Sequence, residues 1–325
     1  MGSFLSDIKC ICYDTMQYGP SVSLSRYKYD RAKAQGVMDA DALRQMHKSI
    51  LRYLKKHYNG LIEKYNEIDT LTEGYTTPER NTIWCFWWQG IENAPEIVKV
   101  CVESIHRANP SCKIIVINEN NFSDYVNIPE YIIAGVRNGD ISFTCFSDIL
   151  RFNLLKKYGG VWVDSTIYCV NKFPEGYLRA PLFTPKSTPA LSECVADYRW
   201  ACYLMGGDAE HILFNFIVDF YNLYFKEHRS ALHYFLIDYC IELAYENIPT
   251  IKKTLDDIPV NNEMRGFLTK HLCDSYTSDY SLQELSKKAD FYKLFWKQEY
   301  YDFNKNNELT VWGFLKNEIC GEKLT

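Results

Sequence analysis

A double glycine set between two apolar runs constrains this chain more than any other feature. The stretch Thr144 to Thr166 reads TCFSDILRFNLLKKYGGVWVDST. Ile149, Leu150, Leu154 and Leu155 recur at helical spacing, and Gly159 is a residue type suited to a left-handed cap. Val161 to Val163 then reads as a buried strand that emerges at Asp164. A helix therefore feeds directly into a strand, an element of α/β folds. Asp148 and Arg151, three apart, share a face of that helix. Asp164 falls at a strand's carboxyl end, where open α/β sheets place their ligands.

The segments around it extend the pattern. Thr82 to Trp88, TIWCFWW, is aromatic and β-branched and predicts a buried strand. Asn93 and Pro95 suit a helix start, with Ile97, Val98, Cys101, Val102 and Ile105 on its apolar face. Lys113 to Ile117, KIIVI, is the next strand, so strand, helix and strand imply a right-handed βαβ unit. The polar run Asn118 to Asn121 leaves that strand at its carboxyl end; it reads either as a ligand contact at Asn118 or as a turn. A helical stretch over Pro129 to Arg137 leads into the opening element. Farther on, Trp200 to Met205 predicts a strand stopped by Gly206-Gly207. Helices follow over Asp208 to Glu227 and Ser230 to Tyr245, the second carrying His233 and Asp238. Pro249 and Pro259 interrupt helix formation, and a further helix is expected over Glu263 to Leu272.

Residues 1–75 read as an N-terminal helical appendage to a main domain over 76–325, with a boundary composition at Leu71 to Arg80. Asp39 or Asp41 caps an amphipathic helix there. From Arg26 to Lys64 there are ten Lys or Arg against four Asp or Glu. That surplus suits an anionic membrane or simply a solvated face. The whole chain carries a net charge of −5, which gives no support for nucleic-acid binding. Twelve cysteines include no C-x-x-C pair, as fits free thiols in a reducing cytoplasm. There is no signal-peptide pattern and no apolar run of the roughly 20 residues that spanning takes, so any membrane contact is expected to be peripheral. P-loop, dinucleotide, nucleophile-elbow and zinc-protease motifs are absent, as are repeats.

The chemistry-bearing residues permit more than one reading. Asp164 could hold a divalent cation that bridges a diphosphate, with Arg151 offering a planar fork and Asp148 accepting from sugar hydroxyls. The same residues could be a solvated helix pair and a turn acid. Trp87 and Trp88 could be core or a stacking platform.

FSDILRFNLLKKYGGVWVDST resembles the donor-site motif of glycosyltransferases of the capsular polysaccharide synthesis type, related to glycosyltransferase family thirty-two. The resemblance runs from Thr82 to Leu315 and includes WWQGIENAPEIVKVC, HYFLIDY, YKLFWK and LTVWGFL. It implies a GT-A type α/β fold, with Ser147, Asp148 and Arg151 at the donor sugar and diphosphate. It also places Trp162 at the aromatic position before the acid, Asp164 as the first Asp of D-x-D, and Trp88 against uracil. Thr166 stands where many relatives keep a second Asp. Asp164 and Thr166 then form a weak site for manganese or magnesium, and Lys293 and Lys297 share in holding the phosphates. Asp238 is the candidate for orienting an acceptor or donor hydroxyl.

The implied activity is bacterial: transfer of a hexose from a UDP-sugar, with retention, to a lipid-linked saccharide at the cytoplasmic face of the membrane. A sugar-nucleotide hydrolase or phosphosugar transferase, and a non-catalytic scaffold, are the alternatives.

Overall fold

The computed structural model describes residues 11–69 and 81–321; the expected boundary at 71–80 lies outside them. After a helical stretch over 11–18 come α1 (Pro20–Ala34), α2 (Ala40–His57) and α3 (Asn59–Asp69). Asp39 caps α2 by accepting from the backbone of Asp41 and Ala42. Leu43, Met46, Ile50 and Leu54 of α2 are buried, so the amphipathic stripe has a partner.

The main sheet begins with β1 (Thr82–Phe86), helix α4 (Glu96–Ala108) and β2 (Lys113–Ile117), and β1 and β2 are parallel as expected. Helices α5 (Glu130–Arg137) and α6 (Phe143–Tyr158) lead to β3 (Gly160–Val163), which lies parallel to β1. A short β4 (Ile167–Cys169) leaves the sheet, and β5 (Leu182–Phe183) and β6 (Leu204–Gly207) return to it. The order is β2-β1-β3-β6-β5, with β6 antiparallel to both β3 and β5.

Side chains alternate across this sheet as a two-residue period requires. Trp84, Phe86 and Trp162 face one core with α6; Ile83, Cys85, Val161 and Val163 face another. On the first side α6 packs on α7 (Ile212–Glu227), with α8 (Leu236–Asn247) and α9 (Pro249–Asp257) beyond. On the second side α4 lies against β4. There β4 pairs antiparallel with β7 (Phe291–Lys293), and the closing helix α10 (Val311–Cys320) packs on α4. This is the expected α/β architecture, a mixed sheet with helices on both faces, with β1, β2 and β3 presenting their carboxyl ends together.

The N-terminal helices share a core with the main body. Tyr58 packs on Phe220 at 4.9 Å, Tyr65 on Phe216 at 5.3 Å, and His47 Nδ1 lies 2.7 Å from the Tyr239 hydroxyl, all within one apolar core. Gly206 and Gly207 do not stop a strand; they pair with β3, and a Cβ on Gly206 would lie 2.8 Å from the Gly160 carbonyl oxygen. The second late helix begins at Leu236, leaving His233 in the turn before it and Asp238 in its first turn. Pro249 opens α9 instead of breaking a helix, because a first-turn residue needs no N–H. Only Phe267–His271 is helical within the stretch expected over 263–272. Among the described residues no helix is long and apolar enough to cross a membrane.

Candidate functional site

Helix α6 and strand β3 form a tight reversal. From Arg151 to the helix end is about 10 Å at the helical rise. From Gly160 to Asp164 is about 13 Å of extended chain. The two lengths nearly match, so Arg151 comes to lie over the far end of the strand. Gly159 and Gly160 make the reversal, with φ of 63° and 87°. Gly159 pairs its φ with ψ −149°, so it is not the left-handed helical cap expected of it. A Cβ on Gly160 would meet the Thr82 carbonyl oxygen at 2.6 Å. The Trp84 indole N–H donates to the Gly159 carbonyl at 3.0 Å and fixes the turn to β1.

Arg151 is the buried hub of the resulting cluster. Its Nη1 donates to Asp148 Oδ1 at 2.7 Å and its Nη2 to Asp164 Oδ1 at 3.2 Å. The guanidinium lies 4.9 Å from the centre of the Trp162 ring. Trp162 Nε1 also donates to Asp164 Oδ1, at 2.9 Å. Asp148 and Arg151 are therefore an internal pair, not the solvated one that their spacing alone permits.

The loop after β3 is tied on both sides. Ser165 Oγ donates to the Phe86 carbonyl at the end of β1, and Leu294 N donates to the Thr166 carbonyl just beyond β7. In the β4–β7 pair Ile167 is opposite Lys293. That register brings the Lys293 ammonium to Asp164 Oδ2 and Thr166 Oγ1, 2.7 Å from each. Lys293 also lies 5.4 Å from the centre of the Tyr203 ring.

The two central carboxyls are pushed in opposite directions. At Asp148 burial dominates and raises the carboxyl to about 7; Arg151 opposes this, while Asp238 and Asp164 add to it. Arg151 divides its positive charge between two acids, which leaves burial at Asp148 incompletely offset. At Asp164 burial also works upward, but Lys293 and Arg151 with the bonds from Lys293 and Trp162 hold it below the usual carboxylate range. Asp164 thus stays ionised, with its side chain 26% exposed.

The other expected residues divide. Trp88 and Asn118 lie at the same carboxyl edge, at the ends of β1 and β2, linked by Glu119 N donating to the Trp88 carbonyl. Trp88 is half-buried, stacked against Phe143 at 5.0 Å and Phe122 at 6.1 Å. Asn118 is engaged in a turn, its Oδ1 accepting from Asn120 N. Ser147 is half-buried on α6 beside Asp148. Asp238 is buried behind the cluster and accepts from Trp200 Nε1 at 2.9 Å, a geometry that positions α8 and does not offer the acid to a substrate. Lys297 parts from Lys293: it is exposed beside the Trp296 ring, in a groove with Tyr301 and Trp312.

Tyr203 and Tyr234 were not singled out from the sequence. Tyr203 is the residue whose carbonyl accepts from Asp164 N. Although the Tyr234 side chain is 71% exposed, its hydroxyl is partly shielded, and that desolvation first, then Asp148 and Asp164, raises it. The motif HYFLIDY contains Tyr234, but only the fold shows it near those acids.

A divalent cation at Asp164 and Thr166 does not fit the arrangement. Such ions can take most of their oxygens from water and a bound diphosphate, so the test is the point where the protein's own ligands meet. Here one carboxylate and one hydroxyl converge on a point already held by the Lys293 ammonium, and Asp164 Oδ1 is occupied by Arg151 and Trp162. Among the described residues no group of three or more His, Cys, Asp or Glu is placed to hold a metal.

A twisted α/β sheet with a charged, half-open cluster at the carboxyl end of its central strand belongs to the class that binds small anionic ligands at that edge. The chain belongs to the capsular polysaccharide synthesis protein family, whose model matches residues 34–311. Among curated proteins none matches the sequence. Among solved structures it is similar to one described as PaToxG Glycosyltransferase, at 17% identity and a TM-score of 0.40, over 61% of this chain and 81% of that one. At that distance the likeness assigns no residue a role. Family membership supports glycosyl transfer as the class of chemistry.

Proposed function

We propose that this chain transfers a hexose from a UDP-sugar to a saccharide acceptor in capsular polysaccharide synthesis, with retention of configuration at the anomeric carbon. The observation that carries the reading is the Asp148–Arg151–Asp164–Lys293 array at the carboxyl end of β3. It offers one reachable cation, Lys293, where a diphosphate would lie, backed by the buried Arg151, and two acids that hold those cations in place. In the reaction the bond between the anomeric carbon and the diphosphate oxygen breaks, and its electron pair leaves with UDP. The acceptor hydroxyl oxygen bonds to that carbon on the same face and yields its proton to the departing phosphate oxygen. Arg151 and Lys293 stabilise the charge that develops there, the largest contribution a protein makes to such a step. Trp88, Asn118 and Ser147 frame the donor at the same edge.

The groove of about 570 Å³ that includes Trp296, Tyr301, Trp312, Glu96 and Gln298 suits the acceptor saccharide, since sugars bind aromatic faces with polar groups at their edge. Trp296 touches Trp87, which leaves β1 beside the site, at 5.3 Å between ring centres. On this reading Trp296→Ala raises the acceptor KM by about tenfold, a typical loss of one stacking contact, and leaves the donor KM alone. An unchanged acceptor KM would remove the groove from the account.

The acceptor is taken to be lipid-linked. Exposed Lys48, Arg52, Lys55 and Lys56 on α2 give a basic face for the anionic inner leaflet.

The test is product analysis with UDP-, GDP- and CMP-sugars, with and without a lipid-linked saccharide fraction. The reading expects one UDP-hexose to be consumed only with acceptor, yielding a product with the donor's anomeric configuration. Consumption without acceptor would mean hydrolysis, transfer of a phosphosugar would mean the other alternative, and binding without turnover would mean a scaffold.

A further inference from the structure

We infer that Lys293 supplies the positive charge at this site that a divalent cation would otherwise bring, so that the enzyme engages its diphosphate without metal. The inference rests on the donor reading above and goes beyond it in naming what neutralises the phosphates. Three observations converge. Asp164 and Thr166 are the pair that the motif offers to a metal, and the Lys293 ammonium sits between them at 2.7 Å from each. A lysine and a divalent ion at one point would repel each other, and one carboxylate cannot offset both.

The second observation is how the ammonium is delivered. Lys293 is the last residue of β7, fixed by its register opposite Ile167 and by its backbone N–H donating to the Arg265 carbonyl. Its carbonyl also accepts from Thr269 Oγ1, so the stem starts from a backbone held on both sides and the ammonium is held at its tip by Asp164 and Thr166. The third is valence. An ammonium has three donors. Asp164 and Thr166 accept two, which leaves one direction for a phosphate oxygen, while the side chain keeps 32% of its surface open to reach it. The substitution of Thr166 for a second acid then has a physical meaning. A hydroxyl accepts from the ammonium without adding a negative charge, so Asp164 is shared between Lys293 at the open edge and Arg151, which lies buried behind it with Asp148.

The experiment measures Mn²⁺ binding by electron paramagnetic resonance and UDP binding by calorimetry, for the wild type, Lys293→Met, Lys293→Arg and the double variant Lys293→Ala with Thr166→Asp. Circular dichroism checks that each is folded. The expected results are a wild type that holds no Mn²⁺ at this site and binds UDP equally well in EDTA and in Mn²⁺. Lys293→Met should weaken UDP binding by about tenfold or more, the loss of one charge-assisted hydrogen bond, with no rescue by Mn²⁺ and partial rescue in Lys293→Arg. The double variant should gain Mn²⁺ and become Mn²⁺-dependent for UDP. Wild-type UDP affinity that collapses in EDTA, or Mn²⁺ bound by the wild type and lost in Asp164→Asn, would overturn the inference while leaving the donor reading intact. No UDP binding under any condition would overturn both.

Discussion

Lys293 and Asp164 stand 129 residues apart in the chain and meet at 2.7 Å. The contact closes a four-residue alternation of charge, Asp148 to Arg151 to Asp164 to Lys293, that runs from the buried face of α6 to the open edge of the sheet. Each member lowers the cost of burying its neighbour, and the outermost cation is left where a ligand can reach it.

Trp162 ties this array to the core, and the tie can be cut without removing the ring. Trp162→Phe deletes the indole bond to Asp164 and keeps an aromatic surface beneath Arg151. Loss of a hydrogen bond to a charged group is expected to cost about 2 kcal/mol in urea unfolding. A cost under about 0.5 kcal/mol would show that Arg151 and Lys293 hold Asp164 unaided.

The raised carboxyl of Asp148 gives a pH signature. Unfolded, the group titrates near its ordinary value of about 4; folded, burial first, against the pull of Arg151, lifts it to about 7. Between those values the folded chain holds a proton that the unfolded chain has lost, so this group's contribution to stability is full below about pH 4 and declines as pH rises toward about 7. Asp164, held low, contributes in the opposite sense: its stability is present above the ordinary range and lost as pH falls. Asp148→Asn removes only the first effect. The Tm of the wild type minus that of the variant should therefore fall between about pH 4 and pH 7 and level off above. Parallel curves would mean that Asp148 is ionised throughout.

The basic face of α2 predicts binding to anionic vesicles that weakens steeply with salt. Each exposed Lys or Arg near such a surface contributes about 1 kcal/mol, screened within a Debye length of about 8 Å at physiological salt. Co-sedimentation with phosphatidylserine vesicles at low and high salt measures it. Binding insensitive to salt, or none at low salt, contradicts a peripheral membrane role for residues 26–64.

What the sequence disclosed was local. The helix, the double glycine and the acid at the strand end depend on periods of a few residues, and so do β1, α4 and β2. The pairing of Asp148 with Arg151 followed from helical spacing, but its burial did not, because that depends on α7 packing over α6. Lys293 came forward only by resemblance, together with Lys297, and the two separate in the fold because β7 ends between them. The partner strand that aims Lys293 is more than 120 residues earlier, beyond any periodicity. Glycine usually punctuates strands, so Gly206 and Gly207 read in the sequence as a stop. Here their lack of a side chain is what lets β6 approach β3. Asp238 stands out in the sequence only as part of the HYFLIDY motif, and its bond to Trp200 is a property of the fold.

Steady-state transfer from the UDP-hexose by the wild type and by Asp164→Asn tests the central claim most directly. Asparagine keeps the shape and removes the charge that anchors both Arg151 and Lys293. With the fold intact by circular dichroism, kcat should drop by about a hundredfold or more, the usual loss when electrostatic stabilisation of a leaving group is disturbed. A variant that turns over at the wild-type rate, or a wild type that turns over no sugar nucleotide at all, would contradict the account.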